Sequence, residues 1–138
     1  MLCVSINLHH VLCLPLPRST ETDQMALLKT LPSYLLLSTV LLGSFSRFTH
    51  GIYTPRWFAF QEYHLPDDGS AIARITPWID ALIGGLLLFG TRKVRMGAAA
   101  VSLFFFLNGL GMQLAAGKDV MGDVVLVAVA GGAVWGLL

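Results

Sequence analysis

Residues 75–138 have the sequence ITPWIDALIGGLLLFGTRKVRMGAAAVSLFFFLNGLGMQLAAGKDVMGDVVLVAVAGGAVWGLL. Three apolar runs make up most of this stretch, and a fourth lies upstream of it. A helix needs about 20 apolar residues to cross the roughly 30 Å core of a bilayer, and these runs approach that length. The sequence therefore predicts four transmembrane helices, at Leu31–Phe48, Ile75–Gly90, Met96–Ala116 and Val120–Leu138.

The composition agrees with a membrane protein. Of the 138 residues, 55% are hydrophobic and 12% are charged, and the mean hydropathy is +0.71. A soluble domain has about a quarter of its residues charged. The chain has nine Lys and Arg residues and eight Asp and Glu residues, so its net charge is only +1. These values exclude a soluble enzyme with a conventional core, and they exclude the basic surface that nucleic-acid binding requires.

The lengths of the links predict how the helices are connected. Thr91–Arg95 and Gly117–Asp119 are so short that they can join only antiparallel neighbours. The predicted fold class is therefore all-α, an up-and-down bundle of four transmembrane helices. A long aromatic-rich loop, Thr49–Arg74, joins the first two helices, and a loop of this length indicates a lid or an interfacial segment. Within it, Pro55–Tyr63 could form a short helix at the head-group level.

The first 24 residues differ from the rest of the chain. Met1–Pro17 is apolar but is interrupted by polar residues and prolines and lacks a positive n-region, and Arg18–Gln24 is polar. We expect a poorly ordered extension over residues 1–24, a single four-helix membrane domain over residues 25–138, and Met25 as an alternative start. In another interpretation the first apolar run is a cleaved signal peptide, because Ser44 and Ser46 fit a small-residue cleavage site.

A cationic cluster predicts the orientation. Arg92, Lys93 and Arg95 form the tightest group of positive charges, and such groups remain on the cytoplasmic side. The sequence thus predicts a multi-pass integral membrane protein with both termini in the cytoplasm. Its membrane would be the endoplasmic reticulum in a eukaryotic cell or the plasma membrane in a bacterium.

Four carboxyl or amide side chains lie inside the predicted spans. Such groups are costly in lipid and normally face the bundle interior or a polar cavity. Asp80 lies near the start of the second helix, Gln113 near the end of the third and Asp123 near the start of the fourth. In an antiparallel bundle these three ends coincide, whereas Asn108 lies deeper.

The same end of the bundle predicts a binding site. Arg47 and His50 end the first helix there, beneath the aromatic segment that carries Trp57. We therefore expect a polar pocket for a lipophilic small molecule. Asp80 and Asp123 are the candidate acid/base residues, because burial favours the protonated form of a carboxyl group. The predicted ligand-binding residues are Arg47, His50, Trp57, Asn108 and Gln113.

Structural roles are the alternative for the same residues. Asp80 and Asp123 could cap helix N-termini and reach water, and Asn108 could make an interhelical hydrogen bond. We expect no metal site, because Glu62 and His64 match no ligand motif. Both cysteines, Cys3 and Cys13, lie in the N-terminal extension, which excludes a thiol relay in the four-helix body.

The run from Pro77 onward resembles the DoxX-like family of small four-helix membrane proteins. The shared features are a glycine-rich second helix, the turn Leu87–Arg92 at its end, and a small-residue start to the third helix. The resemblance implies a four-helix membrane fold and, for some members, association with quinone or thiosulfate redox systems. It implies no catalytic residue, and the longer loop after the first helix departs from the family's bacterial members.

The sequence favours three functions in order. The first is a DoxX-like component or accessory of a redox or quinone-related process, with quinone as the possible cofactor and a membrane or redox protein as the partner. The second is a membrane-embedded tailoring enzyme, such as an isomerase, cyclase or oxidase, that acts on a polyketide or terpenoid intermediate of secondary metabolism. The third is an assembly subunit without a ligand. The lipid bilayer is a partner in each case.

Overall fold

The computed structural model describes residues 2–5, 11–14 and 21–138. Strands β1 and β2 pair antiparallel, with Leu2 opposite Leu14, and five helices follow. The prediction of a poorly ordered extension falls on residues 1–24, of which half lie outside the described residues, while the described ones form β1, β2 and the start of the first helix. The alternative start at Met25 stays a prediction. The elements are β1 (Leu2–Ser5), β2 (Val11–Leu14), α1 (Glu21–Phe48), α2 (Pro55–His64), α3 (Ala71–Phe89), α4 (Arg92–Ala115) and α5 (Met121–Leu137).

Three of the described helices are long and apolar enough to cross a membrane. They span Leu27–Phe48, Ala71–Phe89 and Arg92–Ala115, and their lengths are 22, 19 and 24 residues. The fourth predicted run forms α5, a shorter apolar helix of 17 residues. Large apolar side chains are exposed on these helices, among them Phe89 and Trp135, which are 85% and 75% exposed. The lengths of these helices and their exposed apolar side chains together indicate a membrane protein.

Helices α1, α3, α4 and α5 pack in a closed ring, in which each contacts its two neighbours. Contacts at the helix ends show that neighbours run antiparallel. Arg92, at the start of α4, donates two hydrogen bonds of 2.8 Å to the carbonyls of Leu137 and Leu138, at the end of α5. Gly136, near the end of α5, lies against the backbone of Lys29 in α1. The up-and-down order expected from the short links is therefore present in the described chain.

Three helices begin before their predicted starts, and the largest difference is in α1, which begins at Glu21 instead of Leu31. Helix α4 begins at Arg92 instead of Met96, so the cationic cluster belongs to its first turn and not to a link. Lys and Arg are good helix formers, and their charges do not end a helix. The expected long loop contains α2, which begins with Pro55 at a position where its missing N–H costs little.

The start of α3 is set by local hydrogen bonds. Ser70 is the N-cap residue, and its Oγ accepts a hydrogen bond of 3.2 Å from the N–H of Ala73. The Ser70 N–H donates to the Asp68 carboxylate at 2.9 Å, and this hydrogen bond holds the pKa of Asp68 below its ordinary value. Helix α3 thus begins at Ala71, four residues before the predicted start at Ile75.

The core is built from small and branched side chains. It occupies the half of the bundle in which α3 and α5 end. Alanines on α4 and α5 allow the helix backbones to approach closely. The buried residues are Leu36, Val40, Ile83, Leu87, Ala98, Ala99, Ala130 and Ala133.

Two glycines of α5 test this close packing. A Cβ at Gly136 would overlap the carbonyl oxygen of Lys29, whereas a Cβ at Gly131 would meet nothing within 4 Å. We expect Gly136→Ala to lower the free energy of unfolding by about 1–3 kcal/mol, because the backbones must separate. Gly131→Ala is the matched control and should be neutral or slightly stabilising. Unfolding in detergent measures both, and equal stabilities would contradict the packing of α5 on α1.

Candidate functional site: an interhelical cavity beneath α2

A cavity of about 230 Å³ lies where α1 and α4 end and where α3 and α5 begin. Helix α2 borders it on one side, and each of the five helices contributes side chains. Its apolar wall includes Phe60, Phe105, Phe106 and Leu126, and its polar residues include Arg47, Gln61, His64, Asp80 and Asp123. This is the end of the bundle at which the sequence predicts a polar pocket.

Arg47 fixes α2 in place. Its side chain is 8% exposed, and its Nη2 donates hydrogen bonds to the carbonyls of Gln61 at 3.2 Å and Leu65 at 3.1 Å. Gln61 lies in the last turn of α2 and Leu65 is its C-cap residue, so the positive charge of Arg47 also interacts favourably with the negative end of the helix dipole. In the other direction, Gln61 Nε2 donates to the carbonyl of Gly43 at 3.1 Å. Helix α2 is thus bound to α1 by three hydrogen bonds.

A second contact holds α2 on the opposite side of the cavity. Lys118, in the link between α4 and α5, donates a hydrogen bond of 3.3 Å to the carbonyl of Tyr63. The same ammonium lies 4.4 Å from the centre of the Tyr63 ring, which is a cation–π geometry. The end of α2 is therefore held between α1 and the α4–α5 link.

His64 and Asp123 form a hydrogen-bonded pair across the cavity. His64 Nε2 lies 2.8 Å from Asp123 Oδ1, and His64 Nδ1 lies 2.7 Å from the carbonyl oxygen of Phe60. Asp123 is only 4% exposed. The pair joins residues 59 positions apart in the sequence, and it connects α2 to the start of α5.

The two carboxyl groups do not cap their helices. Asp80 lies well inside α3, whose N-cap residue is Ser70. At the start of α5, the N–H of Met121 donates instead to Asp119, at 3.1 Å, while Asp123 binds His64. Asp80 makes no hydrogen bond or ion pair to any residue in the described ranges. Both carboxyl groups line the cavity, as the sequence predicts, and the capping interpretation is wrong.

Several predicted ligand-binding residues lie elsewhere. Asn108 is exposed on α4 and donates to the carbonyl of Phe104 at 2.8 Å, so the expected interhelical hydrogen bond is absent. His50 is exposed and contacts Asp67 at 2.9 Å on the outer surface. Gln113 is buried, but it does not line the cavity. Of the residues predicted to bind a ligand, Arg47 and Trp57 line the cavity.

Other lining residues were not recognised in the sequence. Phe60, Gln61 and His64 all line the cavity from α2, because His64 lies one turn after both Phe60 and Gln61. The i, i+4 spacing of Phe60 and His64 is the only local signal that one side of α2 faces the cavity. It does not indicate which helix that side packs against. In the described part of the chain, no three His, Cys, Asp or Glu side chains come together as a metal site would require.

Four buried polar atoms of lining residues have no hydrogen-bond partner within the described ranges. Two are donors, Arg47 Nε and Trp57 Nε1, and two are acceptors, Gln61 Oε1 and Asp123 Oδ2. Buried polar groups in proteins are nearly always satisfied by protein, water or ligand. All four atoms have almost no accessible surface, so they lie within the wall of the cavity and not on its open surface.

No protein-family model, no curated protein and no solved structure matches this chain.

The anchoring of α2 by Arg47 can be tested with two arginines. Arg47→Met removes both hydrogen bonds to the end of α2, and each bond from a charged donor contributes about 1.5–3 kcal/mol. We expect a lower midpoint of thermal unfolding in detergent and faster proteolysis within residues 49–70. The control is Arg56→Met on the exposed face of α2, which should leave both unchanged. Equal behaviour of the two variants would contradict the anchoring role.

Proposed function

We propose that α1, α3, α4 and α5 form a four-helix transmembrane bundle. Their closed ring supports this, as do the large apolar side chains exposed on the helices. Helix α5, at about 1.5 Å per residue, is somewhat shorter than the roughly 30 Å hydrocarbon core, and the neighbouring Val120 and Leu138 extend its apolar stretch. The proposed location is the endoplasmic reticulum of a eukaryotic cell or the plasma membrane of a bacterium.

The same proposal assigns the cavity to a lipophilic small molecule, on which the protein acts as an isomerase or cyclase. The observation that carries it is that two carboxyl groups from different helices, Asp80 and Asp123, line one cavity with aromatic walls. Phe105 supports entry from the bilayer, because it lines the cavity and is also 48% exposed on α4. A ligand dissolved in lipid would reach the cavity beside this ring.

The proposed chemistry is the movement of a proton between two carbons of the ligand. One carboxylate takes a proton from carbon, so that a C–H bond breaks, an O–H bond forms, and the electron pair shifts along the ligand. The other carboxylic acid gives its proton to a second carbon. The ligand is isomerised or closed into a ring, with no net change in atoms or electrons. No oxidant or reductant is needed.

Neutral substitutions of the two carboxyl groups test the proposal. The gene is deleted in its own host, and lipophilic extracts are compared after rescue by the wild type, Asp80→Asn or Asp123→Asn. We expect a discrete intermediate to accumulate in the deletion strain. Wild type should remove it, and each Asn variant should lower the conversion rate by about 100-fold or more, because acid–base catalysis contributes that much.

Asp119→Asn is the matched control for these variants. It also removes one negative charge, but Asp119 lies outside the cavity, and Asn retains its capping of α5. This variant should rescue like the wild type at equal expression. Full rescue by both cavity variants would overturn the enzymatic proposal and favour an assembly subunit.

A redox accessory of DoxX-like type is the second candidate. The observation that favours it is the aromatic lining of the cavity, which includes Trp57, Phe60 and Phe105, because a flat quinone ring packs well against aromatic side chains. Under this proposal the deletion strain has an unchanged metabolite profile and an altered sensitivity to quinones or peroxide. A redox partner protein should also co-purify with the wild type and be lost when Trp57 and Phe58 are both replaced by Ala.

A further inference from the structure

We infer that α4 carries an interface with a second copy of this chain, centred on Asn108. The inference goes beyond the proposed function, because it concerns the outer face of the bundle and not the cavity. It rests on the transmembrane position of α4 proposed above. Three observations carry it: an exposed amide at membrane depth, an exposed stripe of residues around that amide, and open space beside the helix backbone.

The Asn108 amide has hydrogen-bonding capacity that its own chain does not use. Its Nδ2 donates a hydrogen bond of 2.8 Å to the carbonyl of Phe104, one turn earlier in the same helix. In the described part of the chain this is its only hydrogen bond, so the second N–H and the amide oxygen remain available. The side chain lies on the exposed, outer face of α4, where a group outside the bundle can reach it.

The position of Asn108 along α4 keeps water away from this amide. Helix α4 ends at Ala115, seven residues later, which is about 10 Å at a rise of 1.5 Å per residue. With 24 residues, α4 is only slightly longer than the hydrocarbon core is thick, so this depth falls within the core. Because the core holds no water, another protein group is needed to satisfy the amide.

Asn108 belongs to a stripe of residues that runs along the outer face of α4. Successive members are four and three residues apart in alternation, which is the spacing at which one helix packs along another. Every member is exposed in the structure, so the stripe is free for a second helix. We call it the α4 seam, and its members are Gly97, Val101, Phe104, Asn108, Gly111 and Ala115.

The α4 seam allows another helix to approach closely beside Asn108. Gly111 and Ala115 follow it by about one and two turns, and two small residues four positions apart are typical of helix contacts in membranes. A Cβ at Gly111 would meet nothing within 4 Å. This part of the α4 surface forms an open groove, whose lining includes Phe104, Asn108 and Gly111.

The geometry of a bilayer favours a second copy as the partner. Copies that insert in the same orientation can pair their α4 helices in parallel about a two-fold axis, which places Asn108 at the same depth in both. An amide donates through its N–H groups and accepts through its oxygen, so it is complementary to itself. The two Asn108 side chains can therefore satisfy each other. A different membrane protein would need a polar residue at this one depth.

Energy transfer in vesicles tests the inference. Full-length chains that carry a donor or an acceptor fluorescent protein at the N-terminus are reconstituted together in phosphatidylcholine vesicles. The transfer efficiency is then followed as the lipid-to-protein ratio is raised. We expect the wild type to transfer energy well above the level of random proximity, and the dilution series gives an apparent dissociation constant. Flotation with the vesicles confirms the reconstitution of each sample.

Two substitutions of Asn108 separate the hydrogen bonds from the shape of the helix. Asn108→Leu should raise the apparent dissociation constant by about tenfold, because the paired amide hydrogen bonds are lost. Asn108→Gln keeps an amide at the same position and should raise it by less. Both side chains face outward, so neither substitution should alter the midpoint of thermal unfolding of the single chain.

Two glycines with equally open surroundings test the close approach. Gly111→Leu should raise the dissociation constant by about tenfold or more, because a large side chain keeps the two backbones apart. The control is Gly85→Leu on α3, where a Cβ would also meet nothing within 4 Å. This control should associate like the wild type.

Each other outcome overturns the inference in a recognisable way. Energy transfer that falls to random proximity in the wild type would mean that lipid or a different protein covers the α4 seam, and it would leave the cavity and its proposed chemistry in place. Association that is equally tight in Asn108→Leu and Gly111→Leu would place the interface on another face. A wild-type chain that does not float with the vesicles would overturn the transmembrane position of α4 together with the inference.

Discussion

The candidate site depends on the contact between the Arg47 guanidinium and the last carbonyls of α2. A ten-residue helix is too short to be stable alone, so its position must come from tertiary contacts. Arg47 supplies a buried positive charge at the negative end of that helix, and the Gln61 side chain returns a hydrogen bond to α1. The wall that carries Trp57, Phe60, Gln61 and His64 is present because this short helix is held at both sides.

The two halves of the bundle pack differently. In the half where α3 and α5 end, alanines bring the backbones together and leave a dense apolar core. In the other half, the phenylalanines of α4 and the carboxyl groups of α3 and α5 keep the helices apart around the cavity. The densely packed half thus fixes the positions of the helices that surround the cavity in the other half. Precise sites in proteins are commonly supported by such rigid elements.

Pairing of polar groups explains how they persist in so apolar a protein. The histidine of α2 is hydrogen-bonded to the carboxyl group at the start of α5, and the arginine of α1 faces the same cavity as Asp80. Isolated charges at this depth would be costly, whereas paired groups with satisfied hydrogen bonds are tolerated. Four of the buried polar atoms that have no partner in the described ranges belong to residues that line the cavity.

The sequence by itself determined the apolar runs and, through its short links, the antiparallel order that brings Asp80 and Asp123 to one end. It did not determine which face of each transmembrane helix points into the bundle, because a helix that is apolar all round carries no amphipathic signal. For this reason the sequence places Asn108 inside, whereas it lies outside. His64 lies on the short helix α2, where the sequence suggests at most a metal ligand, and it binds Asp123 instead. Only the tertiary structure decided these contacts, since they join residues far apart in the chain through the rotation and packing of neighbouring helices.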